Sequence, residues 1–286
     1  MKLLLHAGPM KTGTTAIQTF FSVNQEVLKD NGIHFVWLRR SMLDDLATAL
    51  NDASLRGSVL VASHECLCRQ NQADLARILA GASGDIYAWL TARPLRELYP
   101  SLYLQNLKGR VMRTTTYQEF LVEQERRDRS PQFAIKGQVF NFDYLEQHIS
   151  LAGAIVRWIR YSSSHLLRDV VAGLSELVST PLEFDSFLPL PSPSGTNPRR
   201  SLHFSVAEQA RSLNFRCLAG ELDSEHRQAE LTKLLDQSEQ IRASGQLSEP
   251  ERLLYSSWLD QLDQEINGDF WQRQFRDESV LDSAFG

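Results

Sequence analysis

The chain opens with a short leucine-rich run, residues 2–7, followed at once by a glycine-bracketed loop and then by a helical pattern. That order constrains the fold more than any other feature. The apolar run is bounded by Gly8 and Pro9 and reads as a strand. From Thr14 onward Ile17, Phe20, Phe21, Val27 and Leu28 recur at helical spacing, and Asn31-Gly32 is a helix stop signal. The alternation continues. Residues 33–37, 58–63 and 85–92 read as strands, and 42–50 and 74–79 as helices, with Ser41 a candidate N-cap. Strands alternating with helices imply an α/β fold, with a mostly parallel central sheet and helices on both faces.

The second half is more helical. Residues 117–124, 142–149 and 165–178 read as helices, with 155–161 as a fifth strand. Pro181, Pro189, Pro191, Pro193, Gly195 and Pro198 then follow closely, and such a stretch forms neither helix nor interior strand. Beyond it, 205–218, 224–243 and 249–266 read as polar, amphipathic helices. The expected organisation over 1–286 is a single α/β domain. It has a sheet core over about 1–180, a proline-rich connection over 181–203 and a C-terminal helical cap over 204–286.

The loop itself, "HAGPMKTGTT" at residues 6–15, is P-loop-like but not an ATP-binding P-loop. Gly8 and Gly13 keep the spacing of G-x-x-x-x-G-K-[ST]. Thr14 stands where the lysine belongs, and Lys11 precedes the second glycine. A strand, a glycine turn and a helix place backbone N–H groups and the positive end of a helix dipole around one point. Glycines let the backbone approach an anion, Lys11 adds a full charge, and Thr14 and Thr15 add hydroxyl donors. The bland alternative is a tight turn with an exposed lysine.

Bulk properties bound the partners. With 286 residues and a net charge of −5, the chain lacks the basic excess of a general nucleic-acid binder, so an anion site must be local. Cys66, Cys68 and Cys217 form neither a disulfide framework nor a metal-binding set, and read as reduced thiols. The apolar run at the start stops at His6, and no segment approaches a membrane span. The expected setting is cytoplasmic.

"PMKTGTT" resembles the 5′-phosphosulfate loop of sulfotransferases that use 3′-phosphoadenosine 5′-phosphosulfate (PAPS), whose pattern is approximately P-K-x-G-T-[TS]. Met10 is an insertion, and bacterial members reading H-K-T-G-T-T are similar. The resemblance implies that Lys11, Thr12, Gly13, Thr14 and Thr15 bind PAPS, and that 3′-phosphoadenosine 5′-phosphate (PAP) is released. A sulfuryl group carries less charge than a phosphoryl group, so lysine, hydroxyls and amides could suffice without a metal. No Asp follows an apolar strand in the manner that holds Mg²⁺ in ATP hydrolysis.

PAPS carries a 3′-phosphate that needs a second anion site. "LTARPLRELYPSLYLQNLKG", residues 90–109, supplies Arg93 just past a strand and Ser101 eight residues on. The family pattern R-[ND]-P-x-x-x-x-x-S-x-Y is similar. Arg93, Ser101 and Tyr103 match, and Arg93-Pro94 lacks the intervening residue. Arginine can grip phosphate with parallel donors, which serine completes. "TNPRRSLHFS", residues 196–205, resembles the N-x-S-L segment of bacterial members with longer spacing. It adds Asn197, Arg200 and Ser201 as nucleotide contacts, with Arg199 as an alternative to Arg200.

Transfer to an alcohol needs a base. "VLVASHECL" offers His64 and Glu65 at the end of the third strand. Alternation along a strand would aim the two at opposite faces. Histidine's ordinary pKa favours His64, whereas the S-S-E pattern of bacterial members favours Glu65. The reading leans to Glu65 and keeps His64 open. The resemblance implies a small-molecule or glycan acceptor. Trp37, Trp89, Tyr99, Tyr103 and Trp158 are the aromatic candidates to stack on it, although such residues more often build core. Two other functions fit the same letters: a non-catalytic nucleotide-binding protein, and an ATP-dependent small-molecule kinase with an atypical loop.

Overall fold

The computed structural model describes residues 1–39, 41–109, 112–133, 139–162, 164–190, 202–244 and 255–275. Its centre is an all-parallel sheet of five strands in the order β2-β3-β1-β4-β5. The strands are β1 (Lys2–His6), β2 (Ile33–Trp37), β3 (Val59–Ser63), β4 (Ile86–Ala92) and β5 (Ile155–Arg160). Leu3, Leu4 and Leu5 are all fully buried, so β1 is covered on both faces. This is why its sequence reads as a continuous apolar run rather than an alternation.

Helices α1 (Thr14–Val23) and α2 (Gln25–Asp30) follow β1, and α3 (Met42–Leu50) and α4 (Gln72–Leu79) follow β2 and β3. One face of the sheet packs Leu4, Val59, Val61 and Trp89 against Ile17, Phe20 and Phe21 of α1 and Val170, Val171 and Leu174 of α8 (Leu166–Val178). Each fully buried Leu or Phe in this cluster contributes about 1.5–3 kcal/mol.

On the other face, α7 (Phe142–Leu151) buries Phe142, Leu145 and Ile149. Phe142, Trp158 and Phe270 meet there with ring centroids 4.7–5.3 Å apart. Phe270 lies on the last helix, α11 (Ser256–Phe275). Asn267 of that helix bonds both Phe140 O and Phe142 N, at 3.1 and 2.9 Å.

Three local expectations change. The helix expected to run from Thr14 to Asn31 is two helices, broken at Asn24. The buried Asn24 side chain donates to Phe20 O and Leu188 O and accepts from Leu188 N, so it competes with continued helix. Gly32, at φ 72, ends the second of them as expected. Ser41 precedes α3 but makes no side-chain capping bond, and its hydroxyl faces Asp45 instead. The last helix extends to Phe275, beyond the expected end at 266, while 249–254 lie outside the described residues.

The chain divides into two compact units: Met1–Arg93, Gly137–Pro191 and Asn267–Gly286 in one, and Pro94–Lys136 and Ser192–Ile266 in the other. The second is therefore more than a C-terminal cap. It takes α5 (Leu95–Lys108) and α6 (Tyr117–Arg129) from mid-chain and joins them with α9 (Ala207–Leu218) and α10 (Ser224–Ala243). Within it, buried Arg227 donates to Asn214 Oδ1, Leu107 O and Gly109 O, which satisfies carbonyls at the end of α5. No helix among the described residues is long and apolar enough to cross a membrane.

Candidate anion-binding loop and strand ends

The carboxyl ends of β1, β3 and β4 bring the loop, His64-Glu65 and Arg93 to one edge of the sheet. Beyond His6, Ala7 N still donates to Trp89 O at 3.0 Å, and the loop then leaves the sheet. A Cβ on Gly8 would stand 3.2 Å from Thr14 Cγ2 and 3.3 Å from Thr91 N, so the loop lies tightly against its neighbours. Gly13 has φ 85 and is the N-cap of α1; a Cβ there would meet Leu166 Cδ2 at 2.5 Å. Lys11 also lies in the left-handed region, at φ 66, without being glycine. Such a conformation is uncommon for a residue other than glycine.

Thr12 is fully buried, and its hydroxyl donates to Pro9 O at 2.6 Å, which shapes the loop from within. Thr14 is buried and Thr15 exposed. The N-cap of α1 is Gly13, which has no side chain to accept from the N–H groups of the first turn.

Arg93 is half-buried, and its Nη1 donates to Lys11 O at 3.0 Å. Its guanidinium also lies 4.6 Å from the centre of the Tyr161 ring. Two residues from separate sequence motifs thus meet at one loop. Tyr161 was not singled out in the sequence: it ends the fifth predicted strand, and nothing local marks it as a neighbour of Gly13 and Arg93. Its N–H donates to Ala92 O at 2.7 Å, which fixes it beside the end of β4.

His64 and Glu65 lie past the end of β3, in a turn, so strand alternation does not sort them. Both are half-buried. Cys66 N donates to His64 Nδ1 at 3.0 Å. Neutral His64 therefore carries its proton on Nε2. Burial lowers its pKa, and the Glu65 charge opposes that shift. Burial pushes the neighbouring Cys68 thiol up to about 12, so it stays protonated near neutrality.

Beneath the loop, His6 Nδ1 and Ser63 Oγ are 2.8 Å apart, and Gln18 Nε2 donates to Ser63 Oγ at 3.1 Å. Burial lowers the His6 pKa to about 4. This polar cluster ties β1, β3 and α1 together under the loop.

Ser101 lies half-buried on α5, in the second unit. Tyr103 is buried there among Tyr117, Phe120 and Phe204. Asn197, Arg199, Arg200 and Ser201 lie outside the described residues. Among the described residues no group of three or more His, Cys, Asp or Glu is placed to hold a metal. No protein-family model matches the chain, and no curated protein matches it significantly.

Proposed function

We propose that the chain is a PAPS-dependent sulfotransferase acting on a hydroxyl of a carbohydrate or small natural product. The observation that carries the reading is the bond from Arg93 to Lys11 O, which joins the two motifs at one loop. A nucleotide with phosphates at both its 5′ and 3′ positions calls for two neighbouring anion sites, and ATP does not.

PAPS would supply the activated sulfuryl group. The loop amides, the first turn of α1 and the hydroxyls of Thr14 and Thr15 would hold its 5′-phosphate. Lys11 would stabilise charge on the departing oxygen, and Arg93 would grip the 3′-phosphate. Ser101, Asn197, Arg200 and Ser201 enter on the sequence resemblance. Glu65 would take the acceptor's proton. The tautomer of His64 supports that choice, because its Nδ1 lone pair is occupied by Cys66 N–H and its other nitrogen is a donor.

Calorimetry decides between donors. PAP should bind more tightly than ATP when Mg²⁺ is absent, and the reverse order would sink the reading. Transfer of labelled sulfate from PAPS to an acceptor extract then separates an enzyme from a nucleotide-binding protein.

A further inference from the structure

Five aromatic residues are candidates to meet an acceptor, and the structure sorts them. Trp89, Tyr99, Tyr103 and Trp158 are buried, whereas Trp37 is 45% exposed. Trp37 is the last residue of β2 and is in register with Ser63, which is in register with His6. Residues in register on parallel strands share a face, so Trp37, Ser63 and His6 form a row at the carboxyl edge of the sheet. At the usual strand spacing the Trp37 Cα is about 10 Å from that of His6, where the loop begins. His64 and Glu65 directly follow the middle member of the row.

The strand order gives the row a direction. Arg93 follows β4 on one side of β1, while Glu65 follows β3 and Trp37 ends β2 on the other. If the nucleotide spans β1 and β4, the acceptor's side is β3 and β2. We infer that Trp37 is the stacking platform for a pyranose ring of the acceptor, a conclusion that rests on the sulfotransferase reading. A pyranose has one apolar C–H face, which suits an indole, and hydroxyls that suit a nearby carboxylate. A wholly apolar acceptor would instead call for an enclosed, mostly hydrophobic pocket. Here a single exposed aromatic residue is followed by exposed Arg39 and Ser41.

The test titrates PAP-saturated protein with a panel of methyl hexopyranosides and with phenol by calorimetry. At least one glycoside should bind the wild type. Trp37→Ala should weaken that binding about five- to tenfold, and Trp37→Phe should weaken it less. PAP affinity and the thermal melt should stay unchanged in both variants. The inference is overturned if no glycoside binds the wild type, if only phenol does, or if Trp37→Ala binds the glycoside like the wild type. Glycoside binding at Trp37 without any PAP binding would uphold the platform and defeat the sulfotransferase reading, so the two failures are distinguishable.

Discussion

Lys11 combines a strained backbone with a charge, and two substitutions separate them. Lys11→Ala should abolish most turnover while leaving PAP binding largely intact, since the charge matters most as the leaving oxygen becomes negative. Lys11→Gly should lose turnover equally and yet gain up to about 1 kcal/mol of stability in urea unfolding, because glycine relaxes the left-handed position. Turnover near wild type in either variant would remove Lys11 from the chemistry. Glu65→Gln should lower turnover by about 10²–10⁴-fold with PAP affinity unchanged, and His64→Asn should do far less. The opposite pattern in a steady-state assay would exchange their roles. Arg93→Ala should weaken PAP binding by about 1.5–3 kcal/mol and adenosine 5′-monophosphate binding by less. Equal losses by calorimetry would place Arg93 away from a 3′-phosphate. Lys11 and Arg93 were legible in the sequence because each sits in a compact motif. The bond between them was not, because it depends on how β1 and β4 pair.

At the scale of elements, the turn from loop to α1 depends on Gly13. Alanine there would meet Leu166 and Tyr161 and would have to hold φ near 85. Gly13→Ala should cost about 2 kcal/mol or more in urea unfolding and should weaken PAP binding. An unchanged midpoint would show that the turn can rearrange. The strands and most helices were legible from apolar spacing and stop signals. The break at Asn24 was not, since its cause is a bond to Leu188, far along the chain. The end of β3 at Ser63 was legible too, but not that His64 and Glu65 would both be half-buried beyond it, because alternation stops where the strand does.

For the whole molecule, acid should act through His6. Its folded pKa of about 4 lies below the ordinary value of 6.5, so the unfolded chain binds the proton more readily. Stability should therefore be full above about pH 6.5 and fall as pH drops toward 4, by on the order of 3 kcal/mol from this residue. His6→Gln should flatten that part of the profile relative to wild type in urea unfolding at several pH values; parallel profiles would refute the assignment. The sequence alone determined the α/β class, the order of strands and helices along the chain and the loop's unusual lysine, because these are local patterns of polarity and backbone preference. Only the tertiary structure decided the lateral strand order, the meeting of Arg93 with Lys11, the exposure of Trp37 and the recruitment of α5 and α6 into the second unit. Each of these is set by which distant segments pack together, and no local pattern records that.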